Sequence, residues 1–178
     1  FIGDELIFKE KIYKELKNAV KLRTVSDVDV GVFLSGGIDS STNATLFSKL
    51  TKKRIKTFSI GYDKNYKSYK SELKYAKLAS QSINSKHYEK KLNKKHFIEI
   101  IEKMIFHQDE PISDPVCFPI FYVSQLAVSK NVKVCQVGEG ADELFFGYSN
   151  WARTIKINKV LKNILFLKPS KKILKILM

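Results

Sequence analysis

Apolar and polar positions alternate in two rhythms along this chain. Between residues 5 and 22, Leu6, Ile7, Ile12, Leu16, Ala19, Val20 and Leu22 recur at helical spacing with lysines and glutamates between them, which predicts an amphipathic helix. Val28 to Leu34 (VDVGVFL) is a β-branched apolar run stopped by Ser-Gly-Gly and reads as a short buried strand. The pattern is helical again from Asp39 to Leu50. Ile55 to Ile60 predicts a second strand closed by Gly61, and Ser71 to Ile83 a helix with Ser71 as its N-cap. A weak strand is expected over His87 to Leu92 and a helix over Phe97 to Phe106. A loop carrying Pro111, Pro115 and Pro119 leads to a helix over Ile120 to Ser129. Val132 to Val137 is the last strand, again ended by glycine. From Leu144 the chain turns helical. From Ile155 it is lysine-rich and amphipathic, a face expected to pack on its own protein rather than on a membrane.

Strands alternating with helices of ten or more residues form βαβ units, so the fold class is α/β with a parallel sheet flanked by helices. Ligands of such sheets bind beyond the carboxyl ends of the strands. The two glycine-rich turns, after Leu34 and after Val137, fall there. With no internal repeat and no low-complexity linker, residues 1–178 read as one domain.

Composition changes this picture little. The apolar fraction of 44% argues for a packed core, and no uncharged apolar stretch is long enough to span a bilayer. The chain begins with Phe, which fits a piece of a longer protein. Net charge is +14, from 32 Lys and Arg against 18 Asp and Glu. A basic balance of this size can mark a nucleic-acid surface. The lysines are scattered in sequence, however, which reads as a solvated surface, and no nucleic-acid partner is expected. Cys117 and Cys135 lack the spacing of a zinc site or a disulfide framework. Both read as buried, inert thiols in a reducing cytoplasmic setting.

The chemistry concentrates in the turn Leu34-Ser35-Gly36-Gly37-Ile38-Asp39-Ser40-Ser41. Adjacent glycines permit positive φ and leave the backbone bare, so successive amides can face one anion. The following helix points its amino terminus at the same spot, and Ser35, Ser40 and Ser41 add hydroxyls. An aspartate beside a phosphate cradle makes sense if Mg²⁺ lies between them. The pattern is not a Walker A loop, which needs a lysine after its last glycine.

A second acidic turn, VGEGADELFFGY over residues 137–148, follows the last strand. Asp142 pairs naturally with Asp39 as a second carboxylate for Mg²⁺ on ATP phosphates. Glu139 is left to handle a proton or to position an amine.

The string SGGIDSS after a buried strand resembles the pyrophosphate-binding loop of the N-type ATP pyrophosphatases, whose fold is adenine nucleotide alpha hydrolase-like. SGGIDSS, TFSIGY, DEPISDP and GEGADELFFGY in that order are similar to the synthetase domain of glutamine-dependent asparagine synthetases, from about Ile12 to Trp151. The resemblance implies a carbon–nitrogen ligase that converts aspartate to asparagine through β-aspartyl-AMP, releasing AMP and pyrophosphate, with ATP and Mg²⁺ as cofactors. It implies that Ser35 to Ser41 bind pyrophosphate and that Leu34, Ile60, Val137 and Gly138 lie against the nucleotide. Asp39 and Asp142 match the metal-holding acids, and Glu139 matches a glutamate needed to form the adenylate. The loop of Asp109, Glu110, Pro111 and Asp114 lines the region, as do Ser71 and Glu72. Ammonia would come from a glutaminase domain, for which neither cysteine supplies the nucleophile, and a homodimer stays open. The sequence departs from the family at two positions: Val137 replaces a serine and Phe146 a glycine. The later part of the synthetase domain also lies outside these residues, so alone they need not form a complete active site. Two other readings remain: a tRNA-modifying ATP pyrophosphatase, and a nucleotide-binding module without catalysis.

Overall fold

The computed structural model describes residues 4–63, 72–110 and 114–166, with the backbone alone for 163–166. Ser71, Pro111 and the tail beyond residue 166 lie outside the described residues. Two compact units, Phe1–Gly138 and Glu139–Met178, are recognised and taken one at a time.

The first unit is built on a parallel four-stranded sheet of β1 (Val30–Phe33), β2 (Lys56–Tyr62), β3 (Lys86–Leu92) and β4 (Val134–Gln136), in the order β3-β2-β1-β4. Its helices are α1 (Glu5–Leu22), α2 (Ile38–Leu50), α3 (Leu73–Ser82), α4 (Lys94–Gln108) and α5 (Cys117–Ser129). Both faces of the sheet are covered, which is why β1 is an apolar run and why β2 buries Thr57, Phe58 and Ser59 in succession rather than alternating. On one face Val32 and Leu34 pack with Ala44, Leu46 and Phe47 of α2, Ala76 of α3 and Val20 of α1. On the other, Phe58 and Val132 pack with Val123 and Ala127 of α5. Alpha4 joins through Ile100 and Met104 against Leu92 and Tyr122. The expected α/β sheet is therefore present, with the strands and the helices of this unit found where the pattern put them.

Several boundaries move. Beta2 does not stop at Gly61 but runs to Tyr62, because β3 pairs with it to Tyr62↔Leu92. Gly61 suits the strand since a Cβ there would lie 2.2 Å from Leu73 Cδ1. Alpha4 starts earlier than expected, at a cap in which Asn93 Oδ1 accepts the amides of Lys95 and His96 while His96 Nδ1 accepts the Asn93 amide. Alpha5 takes in Pro119, whose missing N–H costs nothing in a first turn.

The second unit holds α6 (Ala141–Phe145) and α7 (Ser149–Phe166). The expected continuous helix from Leu144 is broken: Phe146 adopts the left-handed conformation, φ 58. A side chain there carries a cost of about 1–2 kcal/mol that glycine would not.

His87, on the edge strand, is held on both ring nitrogens: Nδ1 lies 2.9 Å from Thr57 Oγ1 and Nε2 3.1 Å from Glu89 Oε1. Burial lowers its pKa below the ordinary 6.5, with Glu89 opposing and nearby Lys77 assisting. The folded state thus binds fewer protons here than the unfolded one, so its stabilisation is complete above about 6.5 and declines as pH falls through the lowered pKa. Acidification from pH 7 to 5 should lower the thermal midpoint more in the wild type than in His87→Asn; equal slopes would refute the assignment.

Candidate functional site

Successive strands of the first unit move outward from β1 through β2 to β3, and the chain then returns to place β4 on the other side of β1. The carboxyl ends of β1 and β4 therefore frame the switch point where ligands of such sheets bind.

Leu34, the residue after β1, is buried, with its amide donating to the Phe58 carbonyl at 2.8 Å and its carbonyl accepting the buried Ser59 hydroxyl. In a parallel ladder alternate residues turn their amide and carbonyl to opposite neighbours. Phe58 turns its own towards β1, so Ile60, two residues on, faces the same way, past the point where β1 has ended. Leu34's backbone is committed to the sheet, whereas Ile60 presents its amide and carbonyl to the crevice. Ser59 was not marked by sequence reasoning. A hydroxyl inside an apolar strand was the available signal.

The glycine turn is held by its own serines. Ser40 Oγ, buried, lies 3.2 Å from the Ser35 amide, 2.8 Å from Ser35 Oγ and 3.3 Å from the Gly37 carbonyl. Ser35 Oγ accepts the Gly37 amide at 3.1 Å. These two hydroxyls shape the loop. Gly36 has φ +92, and a Cβ on it would meet the Ala76 amide nitrogen at 2.5 Å. Alpha2 begins at Gly37 with no side-chain cap, leaving its first-turn amides for another acceptor. Asp39 stands half-buried in that first turn.

Gly138, two residues after β4, lies against the same helix start. A Cβ on it would sit 2.6 Å from the Asp39 carbonyl oxygen and 2.8 Å from the Ser40 amide nitrogen. The structure thus brings Ser35, Gly36, Gly37, Asp39, Ser40 and Gly138 together. Val137 is exposed. Asp114 acts as a local cap: its Oδ1 accepts the Val116 amide at 2.9 Å. Burial pushes the Cys135 thiol up to about 11, consistent with an inert group.

In the second unit Gly140, φ +94, turns the chain into α6. Glu139, Asp142 and Glu143 are exposed. Glu143 Oε1 accepts the Tyr148 hydroxyl, which lowers the Glu143 pKa and raises that of Tyr148 to about 12. The Asp142 carbonyl accepts the Gly147 amide at 3.0 Å, and a Cβ on Gly147 would overlap Asp142 Oδ1. That crowding explains the glycine of FFGY.

Among the described residues no group of three or more His, Cys, Asp or Glu forms a metal cage. The carboxylates of Asp39 and Asp142 are oxygen donors of the kind that suits Mg²⁺, which is commonly held by one or two carboxylates together with waters and phosphates.

A family model described as asparagine synthase matches residues 11–172. Asparagine synthetase [glutamine-hydrolyzing] 1 of Bacillus subtilis is 34% identical over 153 residues, covering 84% of this chain and 23% of its own. Putative asparagine synthetase [glutamine-hydrolyzing] 2 of Methanocaldococcus jannaschii is 39% identical over 145 residues, covering 79% and 27%. Asparagine synthetase B of Escherichia coli is 25% identical over 162 residues, covering 83% and 28%. The chain spans about a quarter of the length of these relatives. Among solved structures, an NH3-dependent NAD synthetase from Campylobacter jejuni aligns with TM-score 0.49 and 19% identity, over 79% of this chain and 60% of that one.

Proposed function

The chain belongs to the asparagine synthase family, and from that premise we propose that it carries the ATP-using part of a carbon–nitrogen ligase that activates a carboxylate as an acyl-adenylate. Aspartate is the carboxylate proposed, with β-aspartyl-AMP as the intermediate and ammonia, released from glutamine elsewhere in the full protein, as the nucleophile. The observation that carries this reading is the packing of Gly138 on the first turn of α2, which joins the turns after β1 and β4 around one set of uncapped amides.

Each residue then has a task. The first-turn amides of α2, Ile38 to Ser40, cradle the departing pyrophosphate and offset its growing charge. Ser35 and Ser40 hold the cradle open from within. Ile60 offers a donor and an acceptor to the adenine edge. Asp39 and Asp142 are the residues proposed to hold Mg²⁺, which when bound neutralises phosphate charge during transfer. Glu139, exposed at the start of the second unit, is proposed to manage the proton of the attacking amine.

The test is ATP–pyrophosphate exchange by the full-length protein with Mg²⁺, with and without aspartate. Exchange that requires aspartate is expected. Exchange that requires a different acid keeps the chemistry and replaces the substrate. Absence of exchange with every acid, despite ATP binding, removes the adenylation reading.

A further inference from the structure

The lysines that are scattered in sequence are not scattered in the fold. Beta1 to β4 all begin at the end of the sheet opposite the glycine turns, and basic residues collect there from the three connections that enter β2, β3 and β4. Lys52 and Lys53 lie in the loop entering β2, Lys86 opens β3, Lys130 follows α5, and Lys133 precedes β4. Lys56 Nζ donates to the Lys130 carbonyl at 3.1 Å. Lys86 Nζ and Lys130 Nζ both stand over the Tyr88 ring, 5.8 and 5.2 Å from its centroid.

Counter-charge is sparse at this end. Asp29 pairs with Lys53 at 3.4 Å and Lys56 at 3.8 Å. Among the described residues no carboxylate lies in ion-pair range of Lys52, Lys86, Lys130 or Lys133. Like charges that outnumber the carboxylates near them raise the local potential and favour a polyanion.

Two clefts open at this end and share Arg54. One of about 380 Å³ has the hydroxyls of Thr24, Ser26 and Thr51 and the ion-paired carboxylate of Asp29 in its wall, and one of about 530 Å³ lies beside Asn84, Ser85 and Lys77, with the carboxylate of Glu89 held on His87. Hydroxyls and ammonium groups donate to acceptor-only anions such as phosphodiesters. Arg54 is not available for reading bases, because its Nε and Nη2 donate to the carbonyls of Asn84 and Ser85 at 2.8 and 3.2 Å. Lysines as point charges position a phosphate backbone without reading sequence.

We propose that the amino end of the sheet is a sequence-independent surface for the phosphodiester backbone of a nucleic acid, separate from the nucleotide site at the other end. It stands independently of the adenylation reading, since none of its residues belongs to the glycine turns.

The test is anisotropy of a fluorescein-labelled RNA oligonucleotide of mixed sequence with the full-length protein, titrated across roughly 50–200 mM salt. Two triple variants remove the same charge: Lys52, Lys86 and Lys133→Gln at the proposed surface, and Lys11, Lys14 and Lys17→Gln on α1. All six side chains are exposed. The first triple should weaken binding by roughly tenfold to a hundredfold near 0.1 M salt and lower the log–log salt slope by about 2–3. The α1 triple should change affinity by less than about twofold, and Lys52, Lys86 and Lys133→Arg should keep it, as expected where charge alone acts. Equal losses in both glutamine triples would reduce the effect to net charge and overturn the proposal. So would no wild-type binding at 0.1 M salt, or tighter binding to polyglutamate or phosphatidylserine vesicles, which would assign the surface to an acidic protein or a membrane.

Discussion

Gly36→Ala is expected to destabilise the first unit by about 2–5 kcal/mol and to weaken ATP binding at least tenfold. Two independent costs add. An L-residue in the left-handed region loses about 1–2 kcal/mol, and Gly36 sits at φ +92. The new Cβ would also meet the Ala76 amide nitrogen at 2.5 Å and the Glu72 carbonyl oxygen at 3.0 Å. These are backbone atoms at the start of α3 and cannot rotate aside, so the turn itself must shift, an overpacking penalty of about 1–3 kcal/mol. The shift would drag the uncapped amides of α2 out of line, which couples the stability loss to nucleotide binding. Two other glycines calibrate the measurement. Gly140 has φ +94 but nothing within 4 Å of a new Cβ, so Gly140→Ala should show the conformational cost alone. Gly37, with φ −69 and only Ser35 Oγ at 3.3 Å, should tolerate alanine best. Thermal midpoints that fail to rank Gly36→Ala as the most damaging of the three would contradict the geometry of the turn.

That ranking marks where sequence reasoning reaches and where it stops. The βα alternation was legible because period and chain punctuation are local properties, and so was the glycine turn, since Gly-Gly after an apolar run has few other uses. Which glycine is strained depends on α3 crossing close to Gly36, a tertiary fact. The cap of α4 uses His96 where the usual signature is Glu or Gln, so the start at Lys94 was hidden. Beta2 continues through Gly61 because β3 pairs with it as far as Tyr62, and residue 61 is glycine because Leu73 fills the space above it, a contact between segments separated by undescribed chain. The break at Phe146 runs against the residue's own preference and has no local signal apart from the glycine after it. The basic end of the sheet was invisible for a related reason: its lysines come from loops far apart in sequence that only the strand order brings together. Of the candidate site, the residues of the two turns could be named in advance. The support given by Ser59 to Leu34, and the turning of Ile60 toward the crevice beyond the end of β1, could not.

Asp142→Asn is expected to lower AMP formation by the full-length protein a hundredfold or more, with a raised Mg²⁺ requirement, while Glu143→Gln stays within about threefold of wild type, magnitudes set by the loss or retention of one transition-state electrostatic interaction. The two carboxylates are adjacent and both exposed, so burial does not separate them. Their surroundings do. Glu143 already accepts the Tyr148 hydroxyl, a contact that also fixes the turn leading into α7. Asp142 is pinned through its backbone, its carbonyl accepting the amides of Phe146 and Gly147, and its side chain stands in the space left by the missing side chain of Gly147. A carboxylate with a fixed backbone and no hydrogen bond of its own among the described residues is placed to meet a cation; one tied to a tyrosine is placed to hold a turn. Asparagine keeps the size and removes the charge, so the fold should survive and only the electrostatic role be lost. Measuring AMP release across a Mg²⁺ titration separates the outcomes. A fall that excess Mg²⁺ partly restores fits a metal-holding acid. A fall of tenfold or less at every Mg²⁺ concentration, or an equal loss in Glu143→Gln, would mean that the turn contributes shape rather than charge, and the metal would have to be held without Asp142.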